Sequence, residues 1–175
     1  MLSRFTPGIV AGLLLISTAG GQTIDQYEVK AGFVTSFANF VEWPPEAFKS
    51  PHDPFVICVL GRNPFGATLA GLVAGKVVGN RALMLRELMD VREAEGCHIL
   101  FISASEHLRF RAILSSLREQ SIFSIGDTND FVSEGGVANL RIENGRVRIE
   151  INVVAAKEKN LRISSRLMGL ARIVK

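Results

Sequence analysis

Apolar residues along the chain follow two rhythms. The first is short and unbroken. Phe55-Val56-Ile57-Cys58-Val59-Leu60, Cys97-His98-Ile99-Leu100-Phe101-Ile102 and Ile122-Phe123-Ser124-Ile125 are runs with almost no polar alternation, bounded by Gly61, Gly96, Ser103 and Gly126. Runs of this kind read as strands buried on both faces, the pattern of a parallel sheet covered by helices. The second rhythm is helical. Val29, Phe33, Val34, Phe37, Phe40 and Val41 predict a helix over 27–41 with Lys30, Thr35, Ser36 and Asn39 off the buried face. It must stop near Trp43, because Pro44-Pro45 follow. Leu108, Ile113, Leu114 and Leu117 predict another helix, capped by Ser105.

Between these runs the punctuation is equally readable. Gly61-Arg62-Asn63-Pro64-Phe65-Gly66 predicts a tight strand-to-helix turn, with Asn63 as cap, Pro64 in the first helical position, and Gly75 past the helix end. Residues 76–85 read as strand, Gly79-Asn80 turn and strand. Gly126 to Phe131 reads as a turn, since its acids lack the spacing of a calcium loop. Residues 137–142 and 146–151 flank Asn144-Gly145, the favoured two-residue hairpin turn. Alternation in the second arm puts Val147, Ile149 and Ile151 on one face and Arg146, Arg148 and Glu150 on the other. Helical spacing returns over 153–159 and again over 163–171. Strands alternating with helices give one α/β domain, a mostly parallel central sheet in a three-layer, Rossmann-like sandwich with an antiparallel hairpin near the C-terminus.

Composition adds a compartment. Arg4, the apolar run Ile9 to Ile16 and the small residues Ser17 to Gly21 predict a cleaved secretory signal over 1–21, leaving a domain over 22–175. The apolar run is shorter than the roughly 20 residues that span a bilayer. The absence of a eukaryotic retention signal favours a bacterial periplasm. The formal net charge of +3 is too small to argue for nucleic acid. In an oxidising compartment Cys58 and Cys97 could bridge if their strands are neighbours; the alternative is two buried thiols. Export favours the bridge.

A search for catalytic chemistry finds little. There is no Gly-x-Ser-x-Gly elbow, and Ser105 and His107 lack a third group. The Gly61 turn lacks a dinucleotide or P-loop fingerprint. Cys97 and His98 face opposite sides of one strand, which makes them poor joint zinc ligands. The expectation is no enzyme activity, no cofactor and no metal. The competing reading is a small-ligand sensor using the strand ends near Gly61–Gly66 and Gly126–Phe131.

Ordered blocks then carry a resemblance. Lys30-Ala31-Gly32-Phe33, Phe37-Ala38-Asn39-Phe40-Val41-Glu42-Trp43-Pro44, Ile57-Cys58-Val59-Leu60-Gly61, Gly96-Cys97-His98-Ile99, Gly126-Asp127, Gly135-Gly136, Arg148-Ile149-Glu150-Ile151-Asn152 and Leu161 to Ala171 resemble the YfiR-like family of exported proteins. The resemblance implies a periplasmic repressor that binds the periplasmic part of an inner-membrane diguanylate cyclase or related sensor. It also implies an outer-membrane lipoprotein as a possible second partner, and a homodimer is a further possibility. It implies that Cys58 and Cys97 form a structural disulfide, that Glu150 occupies a position linked to regulation, and that Ile163, Arg166, Leu167 and Leu170 belong to a partner surface. A second cysteine pair found in some members near 131–139 is missing here.

Overall fold

The computed structural model describes residues 25–174; the signal-peptide reading lies outside them. The elements are α1 (Gln26–Ser36), β1 (Val41–Glu42), β2 (Phe55–Leu60), α2 (Ala67–Val73), β3 (Val77–Val78), β4 (Arg81–Leu88), β5 (Ile99–Ile102), α3 (Phe110–Ser116), β6 (Phe123–Gly126), β7 (Ala138–Glu143), β8 (Arg146–Asn152), α4 (Val153–Glu158), β9 (Arg162–Ile163), α5 (Ser165–Leu170) and β10 (Arg172–Val174). Eight strands form one sheet in the order β10-β8-β7-β6-β5-β2-β4-β3. Strands β7, β6, β5, β2 and β4 run parallel to one another. The hairpin β7–β8 is antiparallel, as the Asn144-Gly145 turn predicts, and β10 runs parallel to β8.

Alternation sorts the side chains onto two faces. Ile57, Val59, Ile99, Phe101, Phe123, Ile125, Leu140, Ile149 and Ile151 pack under α1, α2, α4 and α5. Val56, Cys58, Leu60, Leu100 and Ile102 pack under α3. The three-layer α/β sandwich read from the sequence is therefore the architecture found.

Several local expectations are corrected. Helix α1 ends at Ser36, and Phe37–Asn39 tighten into a 3₁₀ turn before the prolines. Of the expected stripe, Val34, Phe37 and Val41 are buried and Phe33 and Phe40 pack against the core, but Val29 is exposed, and Lys30 and Ala31 are buried in its place. Asn63 makes no helix cap. Its Oδ1 accepts from the Phe65 amide, and α2 begins after Gly66. Ser103, rather than Ser105, caps the segment after β5, which runs as a 3₁₀ helix over 104–109 before α3. Leu108 in that segment is 88 % exposed. The second C-terminal helix is shortened to α5 because β9 precedes it, pairing Ile163 with Val41, and the edge strand β10 follows.

Candidate interaction surface

In open α/β sheets, ligands sit outside the carboxyl ends of the strands, where successive connections leave in opposite directions. Here that place lies between β2 and β5, because α2 covers one face and α3 the other. It is filled by the chain itself. Gly61 has φ 84°, and a Cβ there would meet the Ser105 hydroxyl and the Glu106 carboxylate. The Arg62 amide donates to Ser105 Oγ at 3.0 Å. Asn63 Nδ2 donates to Glu87 Oε1 at 2.7 Å.

The end of β6 is plugged as well. The Phe131 ring is fully buried and occupies the space that a side chain on Gly126 or Gly136 would need. Beside it remains a cleft of about 480 Å³ lined by Ala104, His107, Phe110, Arg111, Thr128 and Glu134. Arg111 there is already paired with Glu134 at 2.8 Å.

Past β6, Asp127 turns under α1 instead of acting as a turn residue only. Its Oδ2 accepts from Lys30 Nζ at 2.8 Å and from the Tyr27 hydroxyl at 3.0 Å. Both charged side chains are 4 % exposed. Burial, and then the Asp127 carboxylate, push the Tyr27 phenol up to about 12. This pair pins α1 across the sheet, and the hydrophobic pattern alone gave no sign of it. The sign available in the sequence was the Asp directly after a buried strand.

On the opposite face, β7, β8 and β10 carry a polar network. Glu150 is 4 % exposed, so it is not part of a fully solvated charged row. Its Oε2 accepts from Asn139 Nδ2 at 3.1 Å, and its Oε1 accepts from Arg141 Nη1 at 3.3 Å. Arg172 Nη1 lies 3.6 Å from the same oxygen. Arg148 stands directly opposite Arg141 in the ladder. Like charges placed opposite each other destabilise a sheet unless an anion lies between or beside them. Glu150 supplies part of that anion, and Arg146, Arg148 and Arg172 remain exposed.

The five residues named for a partner surface do not form one patch. Glu150 is on the Asn139 face. Ile163 and Leu167 pack on the other face, and Leu167, only 2 % exposed, is a core residue closed to any partner in this fold. A short amphipathic helix must bury one apolar position, and in α5 it is this one. Arg166 sits over the Phe40 ring at 5.7 Å, and Leu170 is 69 % exposed just before the edge strand β10. The accessible members are thus Arg166 and Leu170. Cys58 and Cys97 are joined as a disulfide with Cα atoms 6.0 Å apart.

Among the described residues, no cluster of three or more His, Cys, Asp or Glu is placed to hold a metal ion, and no helix is long and apolar enough to cross a membrane.

A family model described as YfiR/HmsC-like matches residues 27–172. No curated protein matches the chain. Among solved structures, the chain is similar to a conserved domain protein from Vibrio cholerae O1 biovar El Tor. Identity is 12 %, the TM-score is 0.55, and the match covers 85 % of this chain and 60 % of that one. It is also similar to an ABC domain from Streptococcus pneumoniae in complex with L-Trp. Identity is again 12 %, the TM-score is 0.53, and coverage is 81 % and 59 %. The chain thus spans about three fifths of the length of either structure, and at this identity the likeness is one of fold.

Proposed function

The chain belongs to the YfiR/HmsC-like family, and from that premise we propose that it is a periplasmic regulatory binding protein that restrains an inner-membrane diguanylate cyclase or a related signalling protein. The family match carries the reading. Two features of the site support it. The crevice where an α/β sheet would hold a small ligand is closed by Ser105 and Glu106 against Gly61. The face around Glu150 is instead open, ladder-rigid and rich in arginine, the character of a surface that meets another macromolecule. Both features weigh against a small-ligand sensor at the strand ends, although the cleft beside Phe131 keeps one buried hydroxyl, that of Thr128, without a partner. No bond-breaking step is assigned to the protein.

The mechanism is differential affinity. A binding protein shifts its partner toward the inactive arrangement only by the preference it has for that state. The exposed arginines of the Glu150 face, Arg146, Arg148 and Arg172, are the residues proposed for the contact, and Arg166 and Leu170 in α5 are proposed as a separate one. Deleting the protein in its host is expected to raise cyclic-di-GMP and biofilm formation. Nucleotide extraction from the deletion strain and the parent checks this. Equal levels across growth phases and media would overturn the reading.

A further inference from the structure

Residues 44–54 form a strap across the amino-terminal edge of the sheet, and its attachments converge on two side chains. The first is His98, buried at the start of β5. Its Nδ1 accepts from the Val56 amide at 3.0 Å, which leaves Nε2–H to donate to the Ala47 carbonyl at 3.1 Å. Only the neutral imidazole can make both bonds. The ring stacks on Phe48 of the strap, centroids 4.3 Å apart, and on Phe55 at 4.9 Å. The Trp43 indole donates to the His98 carbonyl at 3.2 Å. The second is Arg81, which donates to the carbonyls of Ser50 and Asp53 and lies 3.7 Å over the Phe48 ring. Lys49–Glu95 is an exposed pair that adds little.

Every group facing His98 bears on its charge. Protonation would set a second donor against the Val56 N–H and add a cation near Arg81. The Ala47 carbonyl, then Asp53, and the two phenyl rings favour the cation, but none can replace the lost acceptor for the Val56 amide. We propose that protonation of His98 opens the strap over 44–54 as an acid-sensitive latch, uncovering Trp43, Phe48 and Phe55 while the sheet stays folded. In a periplasm open to external acid, this would present a new aromatic surface at the end of the sheet remote from the Gly61 and Asp127 loops.

The sign is fixed by linkage. Burial, the largest cause, lowers the imidazole from 6.5 to about 4. The closed strap therefore binds fewer protons than the open one. Closure is at full strength above the ordinary imidazole range and weakens by up to tenfold per pH unit as pH falls from about 6.5 toward about 4.

The protein reports on itself, because Trp43 is its sole tryptophan. Between about pH 6 and about pH 3.5, amide protection factors over 46–53 are expected to fall at least tenfold, with a matching red shift of Trp43 emission. Protection in β2, β5 and β6 and the far-ultraviolet circular dichroism should hold. His98→Asn keeps an acceptor near the Nδ1 position without a titrating proton, and should flatten the transition. Asp53 also holds the strap, since it accepts from the Ser50 amide and hydroxyl, so Asp53→Asn should leave the transition in place. A transition in His98→Asn equal to the wild type, or loss of strap and sheet protection together, would overturn the latch. If His98→Asn does not fold, the NMR titration of the wild-type imidazole decides. A midpoint more than about one unit from that of the strap amides would likewise overturn it.

Discussion

Asp127→Ala is expected to destabilise the protein by about 3–5 kcal/mol, because it leaves the Lys30 ammonium buried with no counter-charge. The partners lie 2.8 Å apart, each 4 % exposed, and the same carboxylate oxygen also holds the Tyr27 hydroxyl. For a domain of this size that is roughly 10 °C or more in Tm. The cost falls on the cation that cannot find water, not on the lost bond alone. Two variants separate these. Asp127→Asn keeps an acceptor but removes the charge, and should recover little. Lys30→Met with Asp127→Leu removes both charges and is expected to regain at least half of the loss, since a buried pair is often replaceable by apolar side chains of similar size. Denaturant unfolding of the three variants checks the series. A loss below about 1 kcal/mol for Asp127→Ala would mean that Lys30 reaches solvent, a result at odds with the packing of α1 on β6.

The same pair shows where reading the sequence stops. The strands β2, β5 and β6 were legible because unbroken apolar runs have few alternatives, and the hairpin was legible from Asn144-Gly145. The face of α1 was legible in part: Val34, Phe37 and Val41 are buried and Phe33 and Phe40 pack beside them, but Lys30 was placed off the face and Val29 on it. Val29, Phe33 and Phe37 outvote one lysine in any apolar count, yet Lys30 turns inward because Asp127 waits at the end of β6, 97 residues away. Glu150 is the mirror case. Strict alternation assigned it to a charged outer row, but Asn139, Arg141 and Arg172 arrive from two neighbouring strands and close over it. The pairing of β10 beside β8 is a long-range event with a three-residue signal, so nothing local could announce it. Arg166 and Leu170 are where an interface residue can be, whereas Leu167 at the intervening helical position is spent on the core.

Removing the disulfide as Cys58→Ala with Cys97→Ala is expected to cost about 2–4 kcal/mol and to raise the denaturant slope. The reason lies in the unfolded chain. Strands β2 and β5 are already hydrogen-bonded neighbours, with Cys58 beside Leu100, so the bond adds little geometry to the folded state. In the unfolded state it closes a separation of 39 residues. The chain-entropy account puts the stabilisation from a loop of that size at roughly 4 kcal/mol, an upper value because real unfolded chains are already compact. Freed of the link, the unfolded chain exposes more surface, which is why the slope should rise along with the loss of stability. A cavity left by two sulfurs would lower stability without changing the slope, so the pair of readouts tells the two causes apart. Both cysteines lie in the core beneath α3, with Leu60, Leu100 and Ile113 around them. Reductant should therefore act only when the domain opens, and folded protein should keep the bond in mild thiol that reduces it at once in denaturant. A cost under about 1 kcal/mol with an unchanged slope would show that the link does not restrain the unfolded chain, and would remove the stability argument for folding this domain in an oxidising compartment.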